Sequence, residues 1–249
     1  MQNNKFDYLI VGANGQDGFF MTRYLLKKNF KILAIVRNDF QYLNNLKHNF
    51  KKKLKILVYQ DYSENNFKKI FQKFFFNKIF FFAGFSKIPK TKIEIKKCHD
   101  GNFNIFQSFL KVILKNKNNP KILYISSSEI FGSNQKKKRN EKSLIKPDNF
   151  YGECKAKTQK LIFNYRKKNS LFISTAIAYN HDSIFSPNTH VIKTLIKKFS
   201  NSKNKIVKIF NPNEFRNLSH VYDFLPIFEK ILSLKKPGDF ILANDKNYK

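Results

Sequence analysis

Six short apolar runs, separated by longer stretches of helical periodicity, constrain this chain more than any other feature. YLIV (8–11), KILAIV (31–36), KILVY (55–59), KIFFFA (78–83), KILYIS (121–126) and LFISTAIAY (171–179) have strand length and no strict alternation. That is the pattern of strands covered on both faces. Between them, DGFFMTRYLLKKN puts Phe20, Tyr24 and Leu25 on one helical stripe, and similar stripes cross 67–75, 103–114 and 156–167. The alternation predicts right-handed βαβ units and a Rossmann-type, doubly wound parallel sheet of the α/β class.

After Tyr179 the pattern loosens. HVIKTLIKKF (190–199) reads as a helix and KIVKIF (205–210) as a strand. HVYDFLPIFEKILSL (220–234) reads as a helix interrupted by Pro226, and DFILA (239–243) as a last strand. Residues 1–180 are expected to form the main domain, with 214–232 returning to it. Residues 181–213 and 233–249 are expected to form a small, truncated C-terminal lobe.

Hydrophobic residues make up 42% of the 249 positions, enough for a substantial core. The net charge of +31 first points to nucleic acid, but only five of the 48 basic residues are Arg, and the lysines spread over the whole chain. Readers of bases and phosphates favour the bidentate guanidinium, so a solvated basic surface is the better reading, with no nucleic acid as partner. Such a surface still draws anionic ligands. Cys98 and Cys154 form no CxxC pair, and the five histidines show no HxxxH or HxH spacing, which argues against a disulfide framework and a metal site. No stretch approaches the roughly 18–20 apolar residues of a membrane span, and the N-terminus lacks a signal-like apolar region. The expectation is a cytoplasmic protein with no membrane partner.

The first run leads straight into GANGQDG, with glycines at Gly12, Gly15 and Gly18. Gly12 allows a tight exit from the strand, Gly15 a close approach of backbone to a pyrophosphate, and Gly18 close packing of the next helix on the sheet. That helix then presents its free N–H groups and positive dipole end to phosphate. The loop therefore predicts a dinucleotide. Arg37 stands at the end of the second run, where an acidic residue would hold the ribose hydroxyls of NAD and an Arg accommodates the 2′-phosphate of NADP. NADP is favoured over NAD. Asp61, after the third run, is a candidate for the adenine end.

YISSSEIFG (124–132) brings hydroxyls and one carboxylate to the carboxyl end of the fifth strand, the edge at which open α/β sheets bind ligands. FYGECK (150–155) adds Tyr151 and Lys155, four apart and on one helical face. Lowering the pKa of Tyr by ~3 units needs about 4 kcal/mol, and an ammonium about 4 Å away supplies roughly that. On this reading Tyr151 is a base near neutral pH.

With these motifs in order, the chain resembles the extended short-chain dehydrogenase/reductase family, the epimerase/dehydratase group that works on nucleotide sugars. Within it the nearest branch is the dehydratases of GDP-mannose. GANGQDG, SSSEIFG, PDNFYGECK, YNHDS and FRNLSHVYD carry the likeness from residue 8 to about 243. The resemblance implies catalytic roles for Ser127, which stands where the family has Thr, and for Glu129, Tyr151 and Lys155. It implies cofactor contacts from Asn14, Gln16, Asp17, Tyr62, Phe82, Ala83, Gly84, Ser86, Lys155 and His181, and substrate contacts from Ser128, Asn180, Lys193 and Arg216. It also implies a nucleotide-sugar substrate, GDP-mannose first, and self-association into homo-oligomers. A 4-epimerase or 4-ketoreductase of the same fold, or a non-catalytic nucleotide-binding remnant, stay open. The departures are Ile184 and Phe185, where the family has a basic pair, Asn217 after Arg216, and FFFAGFS, which lacks a usual polar residue. The chain also stops where relatives continue with more of the substrate lobe.

Overall fold

The computed structural model describes residues 4–116, 118–133, 138–188, 190–201 and 215–248. In chain order these form β1 (Lys5–Val11), α1 (Gln16–Lys27), β2 (Ile32–Val36), α2 (Gln41–Asn49), β3 (Leu54–Val58), α3 (Glu64–Lys73), β4 (Phe75–Phe81), α4 (Lys92–His99) and α5 (Ile105–Leu114). Then come β5 (Lys121–Ser127), α6 (Phe150–Asn169), β6 (Ile173–Ala178), β7 (Asn180–Asp182), α7 (Val191–Asn201), β8 (Arg216–His220), α8 (Val221–Ser233), β9 (Asp239–Leu242) and β10 (Asn247–Tyr248). Among the described residues, seven strands form one sheet in the order β3-β2-β1-β4-β5-β6-β9, every pair parallel. A smaller sheet has the order β10-β8-β7.

The non-alternating runs follow from this arrangement. Every residue of β2 and of β6 is buried. Along β1, Tyr8 and Ile10 enter one core, shared with α1 and α8, while Leu9 and Val11 enter the other, shared with α3 and α5. Successive side chains point to opposite faces, and both faces are covered. Phenylalanine fills much of this space in edge-on pairs, such as Phe81 on Phe106 at 4.8 Å between ring centres. Among the described residues no helix is long and apolar enough to cross a membrane.

The structure differs from the sequence expectations in three places. The stripe read through 67–75 ends at Lys73, and Phe75 already begins β4. Helix α8 runs through Pro226 without a break. The proline removes one backbone donor, but Phe224, Leu225 and Phe228 around it are buried against the sheet and hold the helix in place. The segment 233–249, assigned above to the small lobe, splits: β9 pairs with β6 as the last strand of the main sheet, and only β10 joins the small one. A four-residue apolar run looks the same whichever sheet receives it. The strand expected at 205–210 lies outside the described residues.

The order of strands reverses between β1 and β4, and here the chain passes very close to itself. Gly12 has φ +88°, and a Cβ placed on it would lie 2.6 Å from the backbone nitrogen of Ala83. A Cβ on Gly18 would collide with the carbonyl oxygen of Gly12. Gly15 has φ −79° and only an ordinary approach, 3.4 Å, to the Gly12 oxygen. Gly12→Ala is therefore expected to cost about 1–3 kcal/mol of stability through backbone strain, and Gly15→Ala much less. Urea unfolding of the two variants beside wild type reads the difference.

Candidate active site

The cleft opens at the carboxyl ends of β1, β4, β5 and β6. It holds about 390 Å³ and is bounded by residues 14–18, the segment after β4 (Phe82, Gly84 to Ile88), Ser127, Glu129, Tyr151, Lys155 and residues 178–181. Gly15 caps α1 with backbone alone, no side chain bonding to the first turn, so the leading N–H groups of the helix are left for a ligand. The short backbone path through Gly12 and Gly15 with these donors fits a dinucleotide pyrophosphate.

Strand β5 delivers Ser127, whose Oγ accepts the Glu129 N–H at 3.3 Å and so folds residues 128–131 into a 3-10 turn. That turn sets Glu129 into the cleft. Helix α6 delivers Tyr151 in its first turn and Lys155 one turn later. Lys155 is buried, and its Nζ donates to the Ile125 carbonyl at 2.9 Å and to the Tyr124 hydroxyl at 3.3 Å. Its ammonium lies 5.8 Å from the centre of the Tyr151 ring.

These positions correct the electrostatics expected from the sequence. Burial disfavours charge on both groups. It pushes the Lys155 ammonium down to about 8 and the Tyr151 phenol well above the usual tyrosine value, with Glu129 adding to the rise. The Ser127 hydroxyl, bonding to the phenol, opposes that rise. The protein alone thus holds Tyr151 neutral, and Lys155 does not bond to it directly.

Gln16 and Asp17 do more than line the cleft. The Gln16 Oε1 accepts from the hydroxyls of Ser183 at 2.7 Å and Ser186 at 2.6 Å, and its Nε2 donates to the His181 carbonyl at 3.0 Å. Asp17 Oδ1 accepts from His181 Nε2 at 2.8 Å, while His181 Nδ1 donates to the Tyr179 carbonyl at 2.9 Å. Two acceptors for two ring nitrogens define an imidazolium. Burial opposes that charge, but the Asp17 carboxylate outweighs it and raises His181 to about 9. The start of α1 is thereby clasped to residues 179–186. Phe185 completes the contact, 4.9 Å from Phe19 and 4.9 Å from Tyr42 between ring centres, so an aromatic nest closes this junction.

The other candidates divide. Asn180, His181 and Ser86 also wall a second cavity of about 510 Å³, to which Arg216, Lys90 and Asp182 belong. Ala83 backs the Gly12 turn, and Tyr62 is buried behind it. Arg37 lies outside the cleft wall, its guanidinium 5.9 Å from the Tyr62 ring. The Asp61 carboxylate is engaged in its own turn, accepting from Ser63 N at 3.0 Å and Asn66 Nδ2 at 2.7 Å. Lys193 donates to the Ile184 carbonyl at 2.6 Å and borders neither cavity, and Ser128 borders neither.

Three residues that sequence reasoning missed also shape the cleft. Asn102, in a π-helical turn at Asp100–Asn104, bonds both backbone groups of Phe85, accepting its N–H at 3.2 Å and donating to its carbonyl at 3.0 Å. It thereby fixes the wall after β4. His190 faces both cavities, and its Nδ1 donates to Asp182 at 2.8 Å. Asn149 Nδ2 donates to Glu129 Oε2 at 2.6 Å. Only Asn149 left a local signal, an N-cap residue type directly before FYGECK, the segment that carries Tyr151 and Lys155 on one helical face.

The Asp17–His181 pair gives a pH test on the protein without ligand. His181 is raised in the folded state, so its stabilisation is complete below its ordinary value of about 6.5 and is lost as pH rises through about 9. Asp17, lowered by His181 against the opposing effect of burial, stays ionised across that window. The stability advantage of wild type over Asp17→Asn should therefore shrink by roughly 2 kcal/mol between pH 6 and pH 10. Urea unfolding at the two pH values measures it.

Known proteins share this architecture. The Bacillus anthracis dTDP-glucose 4,6-dehydratase solved with NAD superposes with a TM-score of 0.85 at 15% identity, covering 98% of this chain and 77% of that one. The Bacillus cereus UDP-glucuronic acid 4-epimerase solved with UDP-glucuronic acid and NAD gives 0.85 at 18% identity, covering 97% and 79%. In sequence, the GDP-mannose 4,6 dehydratase of Dictyostelium discoideum is 23% identical over 96% of this chain and 71% of its own length. GDP-mannose 4,6 dehydratase 2 of Caenorhabditis elegans is 23% identical over 96% of this chain and 66% of its own. A family profile described as GDP-mannose 4,6 dehydratase matches residues 9–249. A match of that extent, on an extended short-chain dehydrogenase/reductase fold, settles the assignment: the chain belongs to the GDP-mannose 4,6-dehydratase family.

Proposed function

We propose that this protein is an NADP-dependent nucleotide-sugar 4,6-dehydratase, a hydro-lyase converting GDP-mannose to its 4-keto-6-deoxy form. The observation that carries this reading is the Glu129 carboxylate in the same cleft as Ser127, Tyr151 and Lys155. An epimerase or ketoreductase needs no carboxylate base there.

The bound dinucleotide would lie on the Gly12–Gly18 turn and supply a hydride acceptor for C4 and a donor for C6. Tyr151, neutral in the ligand-free protein, would be ionised under the positive charge of the bound dinucleotide, and its phenolate, steadied by the Ser127 hydroxyl, would then take the proton from the sugar O4. Lys155, held to the Ile125 carbonyl, keeps a positive charge nearby. With C4 a ketone, the C5 proton becomes acidic. Glu129 removes it and passes it to the departing C6 hydroxyl, so that water leaves and the carboxylate is regenerated; when hydride is returned to C6, C5 takes up a proton in exchange for the one that Tyr151 removed from O4. The second cavity, with Arg216, Lys90 and His190 in its wall, suits the nucleotide diphosphate, and β7, β8 and β10 would be the substrate lobe. Arg37, beside the end of β2, is the partner for a 2′-phosphate.

Two substitutions test the reading. Glu129→Gln should leave NADP binding unchanged and slow formation of the 4-keto-6-deoxy product by about 10²–10⁴-fold, the range of a lost general base. Product mass after incubation with GDP-mannose and NADP reads it, and full activity in the variant would point to epimerase or reductase chemistry. Arg37→Ala should weaken NADP by roughly 10–100-fold, the worth of a hydrogen bond to a charged group, and leave NAD nearly unchanged in calorimetric titration.

A further inference from the structure

We propose that Asn149 is a positioning residue for the dehydration step, tying the Glu129 carboxylate to the first turn of the helix that carries Tyr151 and Lys155. The proposal rests on the dehydratase reading of Glu129. The Asn149 amide works at both ends. Its Nδ2 donates to Glu129 Oε2 at 2.6 Å, and its Oδ1 accepts the backbone N–H of Gly152 at 2.9 Å as the N-cap of α6.

The backbone reinforces this link. A Cβ on Gly152 would lie 2.5 Å from the Glu129 carbonyl oxygen, so the helix start rests directly on the turn that bears the carboxylate. Asp148 steadies the neighbouring segment, its Oδ2 accepting from Ser133 N at 2.7 Å and its Oδ1 from Asn149 Nδ2 at 3.2 Å. An ionised carboxylate only accepts hydrogen bonds. With Oε2 held by an amide N–H, Oε1 is left for the C5 proton, at a fixed offset from the Tyr151 phenol. Asn is suited to this link because one side chain both accepts from the helix N–H and donates to the carboxylate. Ser keeps the cap but is too short to reach Glu129. Asp keeps the cap and sets a like charge beside Glu129.

Asn149→Ser and Asn149→Asp separate the capping role from the positioning role, since Ser, Asp and Asn cap helices about equally well. Both variants should match wild type in thermal unfolding. In D2O with GDP-mannose and NADP, reduced-cofactor absorbance reports C4 oxidation, and deuterium incorporation at C5 reports the Glu129 step. For Asn149→Ser, C4 oxidation should stay within about twofold, while C5 exchange falls roughly 10–100-fold, the effect of losing a hydrogen bond to a charged group. Carboxyl resonances of the ligand-free protein, labelled at Glu, give a readout independent of turnover, and the Glu129 signal should change position in both variants as its amide donor is lost. Equal slowing of both steps, or an unmoved Glu129 carboxyl resonance, overturns the proposal while the dehydratase reading stands. Wild-type protein that binds NADP but oxidises no nucleotide sugar at C4 overturns that reading and the proposal with it.

Discussion

The close passage of backbone over backbone at Gly12 is the constraint on which the rest of the structure depends. Where β1 ends, the exit of β4 and the start of α1 all come within contact of one carbonyl and one Cα. No side chain fits between them. The sheet can therefore reverse its strand order at this point and still leave an open cleft above it, floored by backbone. The carboxyl ends of β5 and β6 then bring hydroxyl, carboxylate and phenol to the same edge.

Burial sets the chemistry of that edge. A tyrosine and a lysine placed one turn apart in water would help each other to ionise. Placed under the sheet edge, each instead resists its charged form, and the protein counters the resistance with the Ser127 hydroxyl at the phenol and with the Ile125 carbonyl, the Tyr124 hydroxyl and the Asp17 charge at the ammonium. The Lys155 ammonium and the Glu129 carboxylate thus face the same cleft as the neutral Tyr151 phenol, and Asp17 pairs with His181 in its wall.

The βαβ frame was legible because strands buried on both faces leave unbroken apolar runs, and the glycine loop because its spacing has one steric explanation. Ser127, Glu129, Tyr151 and Lys155 were legible as types in order, since each lies at a strand end or on a helix face that the periodicity marks. What was not legible depends on partners far away in sequence. Asn149 meets Glu129 across 20 residues and Asn102 meets Phe85 across 17, and no local pattern announces either. Gln16 and Asp17 belonged to a phosphate loop by position, but their bonds reach across more than 160 residues to His181, Ser183 and Ser186. Pro226 sits inside α8 against its local preference because backbone propensity is weak and core burial overrides it.

One feature of the sheet bears on how the chain is made. The core on one face joins Tyr8, Ile10 and Phe80 to Val221, Phe224 and Phe228 of α8, and β9 closes the far edge beside β6. During synthesis the first six strands emerge from the ribosome with that face bare until residues 221–242 follow. For that interval a broad aromatic and aliphatic surface stands open to water, a natural target for chaperones and for misassociation. The dense lysine coat, which repels like chains at a distance, is well placed to keep two such nascent faces apart.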